Sequence, residues 1–183
     1  HACASPHAGS VADLERRLGQ LGRRSPDIRW FASEVLLEIG QSSLACGALL
    51  AAEADHLHSA SYYARLFVAA TTLQDEELMR RSAARRFELA PYDLVAVKNH
   101  AAMLVMFEEQ PEHAARLTAL CLEQEPDSNA AKINHAAALL NAGYLGSADL
   151  VLARIDEKAL NPQERDQWRF IRLKRLHRLG EIE

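Results

Sequence analysis

The chain has 183 residues, room for one ordinary globular domain or for four or five stacked helix pairs. Its 49% apolar content is rich in Ala and Leu and holds only 6% aromatics, which favours closely packed helices over β-branched strands. A net charge of −4 excludes wholesale attraction to nucleic acid or an anionic membrane, and no apolar run reaches the roughly 18 residues of a spanning helix.

Residues 1–9 contain Pro and Gly without periodicity and read as a flexible lead-in; with the first helix they make a preamble over residues 1–25. The chain starts at His1-Ala2-Cys3 without Met, so a trimmed N-terminus is expected, one that leaves room for a signal or anchor. From Ser10 to Gly22, Val11, Leu14, Leu18 and Leu21 recur at helical spacing. Arg23-Arg24-Ser25-Pro26 breaks the pattern. A helix then follows through Trp30, Val35, Leu36 and Ile39 to Gly40, a residue suited to a left-handed cap.

Helices are expected next over Ser42–Asp55, Ser59–Thr72, Asp75–Ala90, Leu94–Phe107 and Pro111–Glu125. Asn129–Asn141, Ser147–Lys158 and a last helix from about Gln163 to Leu179 complete the series. No stretch alternates polar and apolar residues, so no sheet is expected. Cys3, Cys46 and Cys121 lack zinc or disulfide spacing. The latter two fall among Ala and Leu and read as small buried hydrophobes of a reducing, cytoplasmic compartment.

Asn99-His100-Ala101-Ala102 returns 35 residues later as Asn134-His135-Ala136-Ala137. Pro91, Pro126 and Pro162 lie 35 and 36 residues apart, each closing a helix-period segment. A fixed period near 35 signals one helix pair stacked on copies of itself. At these residues the chain resembles the tetratricopeptide repeat family. Ala136 matches the small mid-helix residue, Gly143 the turn and Ala148 the alanine of the second helix, with Leu152 and Ile155 continuing its buried face.

The preceding unit supplies Ala101, Ala114, Thr118, Cys121 and Pro126, with Glu108-Glu109-Gln110 in place of the turn Gly. Gly40, Ala45, Leu49 and Ala52 fit a divergent first unit. The second keeps Tyr63 and Pro91 but loses its turn Gly, and Trp168 sits where a fifth unit would place its large residue. The resemblance implies an all-α, right-handed α-solenoid of antiparallel helix pairs over residues 26–183. Its units would be 26–59, 60–93, 94–128 and 129–163, with a capping helix over 163–180.

His100 and His135 occupy equivalent places, but no acid or Cys joins them at ligand spacing, so they read as packing or inter-repeat hydrogen-bonding residues and no metal is assigned. His56 and His58, two apart, would diverge on a helix. No phosphate loop, nucleophile elbow or HExxH occurs, so neither catalysis nor a cofactor is expected. The basic residues from Arg165 to Arg178 suit the negative end of a helix, with an acidic partner or a contact with the acidic 108–112 region as alternatives.

The resemblance places Asn99 and Asn134 on a concave groove, where an amide either donates to and accepts from an extended peptide backbone or supports the neighbouring helix. The implied floor is Lys98, Asn99, Ala102, Val105, Met106, Ile133, Asn134, Ala137, Leu140 and Asn141. Ala102 stands where a carboxylate clamp would need Asn, which argues against a chaperone C-terminus as ligand. The function implied is a non-catalytic interaction scaffold for another protein or extended peptide. RNA binding of the pentatricopeptide kind, a self-assembling scaffold and a bacterial secretion chaperone are the alternatives, the acidic balance weighing against RNA.

Overall fold

Capping side chains set where most of the helices begin. The computed structural model describes residues 26–180, together with Asp13, Arg16 and Arg17. The lead-in, Cys3 and most of the expected Ser10–Gly22 helix lie outside the described residues. Nine α-helices follow from residue 26 onward: α1 (Pro26–Glu38), α2 (Ser42–Leu50), α3 (Ala60–Leu73), α4 (Glu76–Leu89), α5 (Leu94–Met106), α6 (Pro111–Gln124), α7 (Asn129–Asn141), α8 (Leu145–Leu152) and α9 (Pro162–Arg178). No strand occurs among the described residues, and none of their helices is long and apolar enough to cross a membrane.

The starts are chemically explicit. The Ser59 hydroxyl accepts from Tyr62 N–H at 3.2 Å, Asp75 from Leu78 N–H at 3.0 Å, and Asp93 from Val95 N–H at 2.8 Å. Ser128 accepts from Ala131 N–H at 3.2 Å, and Asn161 and Glu164 form a reciprocal capping box at 2.9 and 3.0 Å. Each satisfies amides that a helix end leaves without partners. Gly40 and Gly143 take the left-handed turns expected of them, with φ of 75° and 82°.

Where the turn Gly is missing, a non-glycine residue takes the same conformation: Gln74 at φ 56° and Glu108 at φ 55°. Such residues carry a steric cost of about 1–2 kcal/mol. The turn survives because the helix-ending bonds are made, Asp75 N–H to Ala70 O at 3.0 Å and Glu109 N–H to Leu104 O at 2.9 Å.

Two expected helices are shorter than their patterns. The second helix after Gly40 stops at Leu50, with a separate 3-10 turn at Glu53–Asp55. The helix after Gly143 begins at Leu145 but ends at Leu152. Asp156 accepts from Lys158 N–H at 3.0 Å, so its side chain starts a 3-10 turn instead of continuing the helix. Pro91 and Pro126 follow α4 and α6 closely, as expected. Pro162 instead opens α9, at a position where its missing N–H costs nothing.

The described chain divides into two compact units at the Ala90–Pro91 junction. In the first, α1–α2 and α3–α4 are sequential pairs. Its core centres on Tyr62, fully buried, whose hydroxyl donates to Leu49 O at 2.8 Å. Burial pushes that phenol well above its usual pKa range. His56 stacks on Tyr62 and lies tilted against Trp30, with the Arg65 guanidinium 3.8 Å above the Trp30 ring and 2.9 Å from Glu34. Val35 and Ile39, expected on the apolar face of α1, are instead largely exposed; Leu36 carries the burial.

In the second unit α5–α6 and α7–α8 pair, α6 also packs on α7, and α9 lies against α7. Ala101 and Ala136 are buried at equivalent places, as are Ala114 and Ala148, and Cys121 is buried among them. Burial raises the pKa of both described thiols, Cys46 and Cys121, consistent with small hydrophobes that keep their protons. Ala148→Leu should therefore overpack a contact with no spare volume and cost about 1–3 kcal/mol in urea denaturation, while Cys121→Ala should cost clearly less.

Candidate functional site

Helical periodicity places every fourth or third side chain of α7 on one stripe: Ala130, Asn134, Ala137 and Asn141. The equivalent stripe on α5, 35 residues earlier, is Val95, Asn99, Ala102 and Met106; on α9, 33 residues later, it is Gln163, Gln167, Phe170 and Lys174. An amide thus recurs at one helical position on α5, α7 and α9, as Asn99, Asn134 and Gln167. The α7 stripe forms the bottom of a groove of about 670 Å³ whose sides are α5 and α9.

Seven of the ten residues expected on a groove floor line it: Ala102, Val105, Met106, Ile133, Asn134, Ala137 and Asn141. Three do not. Leu140 is fully buried beneath the surface and supports α7 from inside. Lys98 turns to Glu125, with Nζ 3.0 and 2.9 Å from its two oxygens, and lines a separate small cavity. Asn99 lies half-buried one turn before Ala102, outside the groove lining.

The far wall was absent from the sequence reading. Gln163, Gln167, Phe170 and Lys174 belong to α9, whose 33-residue offset breaks the 35-residue register that the echo establishes. Comparing the stripes position by position, instead of fixing the period, would have found them.

The cation lining the groove is paired within the fold. Lys174 Nζ donates to Glu108 Oε1 at 2.6 Å and to Asn141 Oδ1 at 2.7 Å, while Asn141 Nδ2 donates to Val105 O at 3.0 Å. The hydrogen bond from Lys174 holds the Glu108 carboxyl below the usual carboxylate range. Arg178 adds a looser contact to Glu108 at 3.6 Å, so the basic end of α9 does meet the acidic turn after α5. Glu164 is engaged in the Asn161 capping box. By contrast the side chains of Asn134, Gln163 and Gln167 make no hydrogen bond among the described residues.

The two equivalent histidines serve packing. His135 Nδ1 lies 3.0 Å from Thr118 Oγ1, whose proton goes to Ala114 O at 2.8 Å. The hydroxyl having spent its proton, His135 donates from Nδ1, the inter-helix bond that its position suggested. His100 meets His113 edge-on, ring centroids 6.2 Å apart. No group of three or more metal-ligating side chains occurs among the described residues.

No protein-family model matches the sequence, and neither does any curated protein. The fold does match solved structures of MamA, a tetratricopeptide repeat protein. A MamA RS-1 ArsTM double mutant superposes with a TM-score of 0.61 at 13% identity, over 83% of this chain and 93% of that one. A crystal structure of MamA protein gives 0.57 at 13% identity, over 94% and 86% respectively. The architecture is therefore the all-helical tetratricopeptide fold, built from sequential helix pairs.

His135 has a pH signature. Burial lowers its pKa from the ordinary value of about 6.5, so the unfolded chain takes up a proton before the folded one does. Stability from this residue is present above pH about 6.5 and lost as pH falls through the window below it. Urea midpoints measured from pH 7 down to pH 5 should fall further for the natural chain than for His135→Gln. Equal slopes would show that folding does not lower the pKa of His135.

Proposed function

We propose that the groove between α5, α7 and α9 binds an uncharged, extended segment of another protein, and that the chain serves as a non-catalytic interaction scaffold. One observation carries the reading: the side chains of Asn134, Gln163 and Gln167 have no hydrogen-bond partner among the described residues and stand beside an apolar floor, while Lys174 and Glu108 next to them pair with each other. An amide offers a donor and an acceptor together, which matches a peptide backbone running past it. Met106 and Phe170, 57% and 65% exposed, offer apolar flanks for the ligand's side chains.

The same charge accounting gives the ligand's class. Among the described residues Lys174 is the one cation lining the groove, and it is held by Glu108 and Asn141. An acidic terminus or a nucleic acid would have to break that network before finding a counter-charge. The repeat boundaries read from the sequence, 26–59, 60–93, 94–128 and 129–163, are retained as part of this proposal. The match to MamA supports an interaction scaffold at the level of fold.

A library of uncharged, blocked apolar peptides, read by fluorescence anisotropy, tests the reading, with the same sequences carrying a free acidic C-terminus as comparison. Binding of roughly micromolar strength is expected from burial less the cost of ordering the peptide. The double substitution Asn134→Ala with Gln167→Ala should weaken a bound peptide by about 1–3 kcal/mol and leave the urea midpoint nearly unchanged. A midpoint that collapses while the folded fraction keeps full affinity would make both amides structural.

A further inference from the structure

A second cleft lies on the other side of α9, at a place where the helix-pair pattern is interrupted. The second helix α6 runs fourteen residues, but its counterpart α8 runs only eight, a shortfall of about 9 Å of helix. As a result α9 packs on α7 but barely meets α8. The gap is a cavity of about 430 Å³, with Leu152 and Ile155 on one side and Trp168, Arg172 and Arg175 on the other.

Its polar groups are unequally satisfied. Arg175 is taken by Asp149, with Nη2 2.9 Å from Oδ2. Arg172 is exposed, lies over the Trp168 ring at 4.7 Å from its centroid, and has no carboxylate partner among the described residues. Trp168 is only 8% exposed, and its indole N–H is enclosed without an acceptor. With Asp149 already neutralised by Arg175, the cleft presents an apolar wall beside one cation that has no carboxylate partner among the described residues, and the unused indole donor is enclosed next to it. Buried donors seldom go without an acceptor, and an indole N–H can only donate.

We propose that this cleft between α8 and α9 is a docking site for a segment of another protein that places an apolar side chain next to a carboxylate. The apolar side chain fills the space left by the short α8, against Leu152, Ile155 and the indole. The carboxylate pairs with Arg172 and provides oxygen acceptors beside the indole N–H, as the loosely packed junction adjusts around it. Charge complementarity selects the occupant, since a neutral or basic segment leaves Arg172 uncompensated. The site shares no lining residue with the groove and stands independently of it.

The chain has two tryptophans, so 15N-tryptophan labelling of the intact protein gives two indole signals, one from Trp168 and an internal control from Trp30. N-acetyl-leucine, an isobutyl group beside a carboxylate, is the probe, and N-acetyl-leucinamide is its uncharged comparison. Trp168→Phe assigns the signals, with Trp30→Phe as the alternative if that variant does not fold. The Trp168 signal should move saturably with the acid at about millimolar Kd, while Trp30 stays put. The amide should bind about fivefold more weakly, and Arg172→Gln, at an exposed position, should bring the acid down to the amide's affinity. No saturable movement at Trp168, or equal movement with acid and amide, would overturn the proposal. So would movement with protein concentration alone, which would assign the cleft to a second copy of the chain.

Discussion

Close approach of helices through alanine is the constraint on which the second unit depends. Ala96, Ala101, Ala114, Ala131, Ala136, Ala138 and Ala148 are all buried. A side chain of one methyl group lets helix axes come to the short end of the usual 8–10 Å separation. It also gives up little conformational entropy on folding. Such contacts bury little area each, so the packing has to be dense and repeated to hold. A helix pair of this kind cannot complete its own core, which is why α6 packs on both α5 and α7.

That dense interior leaves the larger and more polar residues to the faces. On the α5–α7–α9 face the fold spends its ionic groups on itself: Lys174, Glu108 and Asn141 form one connected network that ties the last helix to the first of the unit. A surface pair alone contributes little, but a network partly shielded from water positions its helices more firmly than its energy suggests. The amides left over are then the groups with bonding capacity to offer.

The repeat architecture was legible because it rests on local rules. The echo of Asn99-His100-Ala101-Ala102 placed Ala101 and Ala136 at equivalent buried sites, and Ser59, Asp75, Asp93 and Ser128 capped helices near where the pattern starts them. What was not legible depends on tertiary context. Whether α8 runs on past Leu152 is a contest between helix propagation and the Asp156 turn, which an apolar pattern cannot weigh. Leu140 and Ala137 sit on the same helix three residues apart, and only the packing around α7 decides that one is inside and the other lines the groove. The wall formed by α9 was hidden by a change of period from 35 to 33, small in sequence and decisive for which side chains face Asn134.

Glu108 joins two of these features in one residue. Its backbone takes the left-handed conformation that ends α5, and its carboxylate holds Lys174 on α9. At Gly143 the corresponding turn is made by the residue best suited to it, with no side chain to contribute elsewhere. Drift toward glycine at position 108 would ease the turn and at the same time release the clasp on the groove's far wall. Easing the turn with glycine therefore costs Lys174 one of its two hydrogen-bond partners and leaves it Asn141.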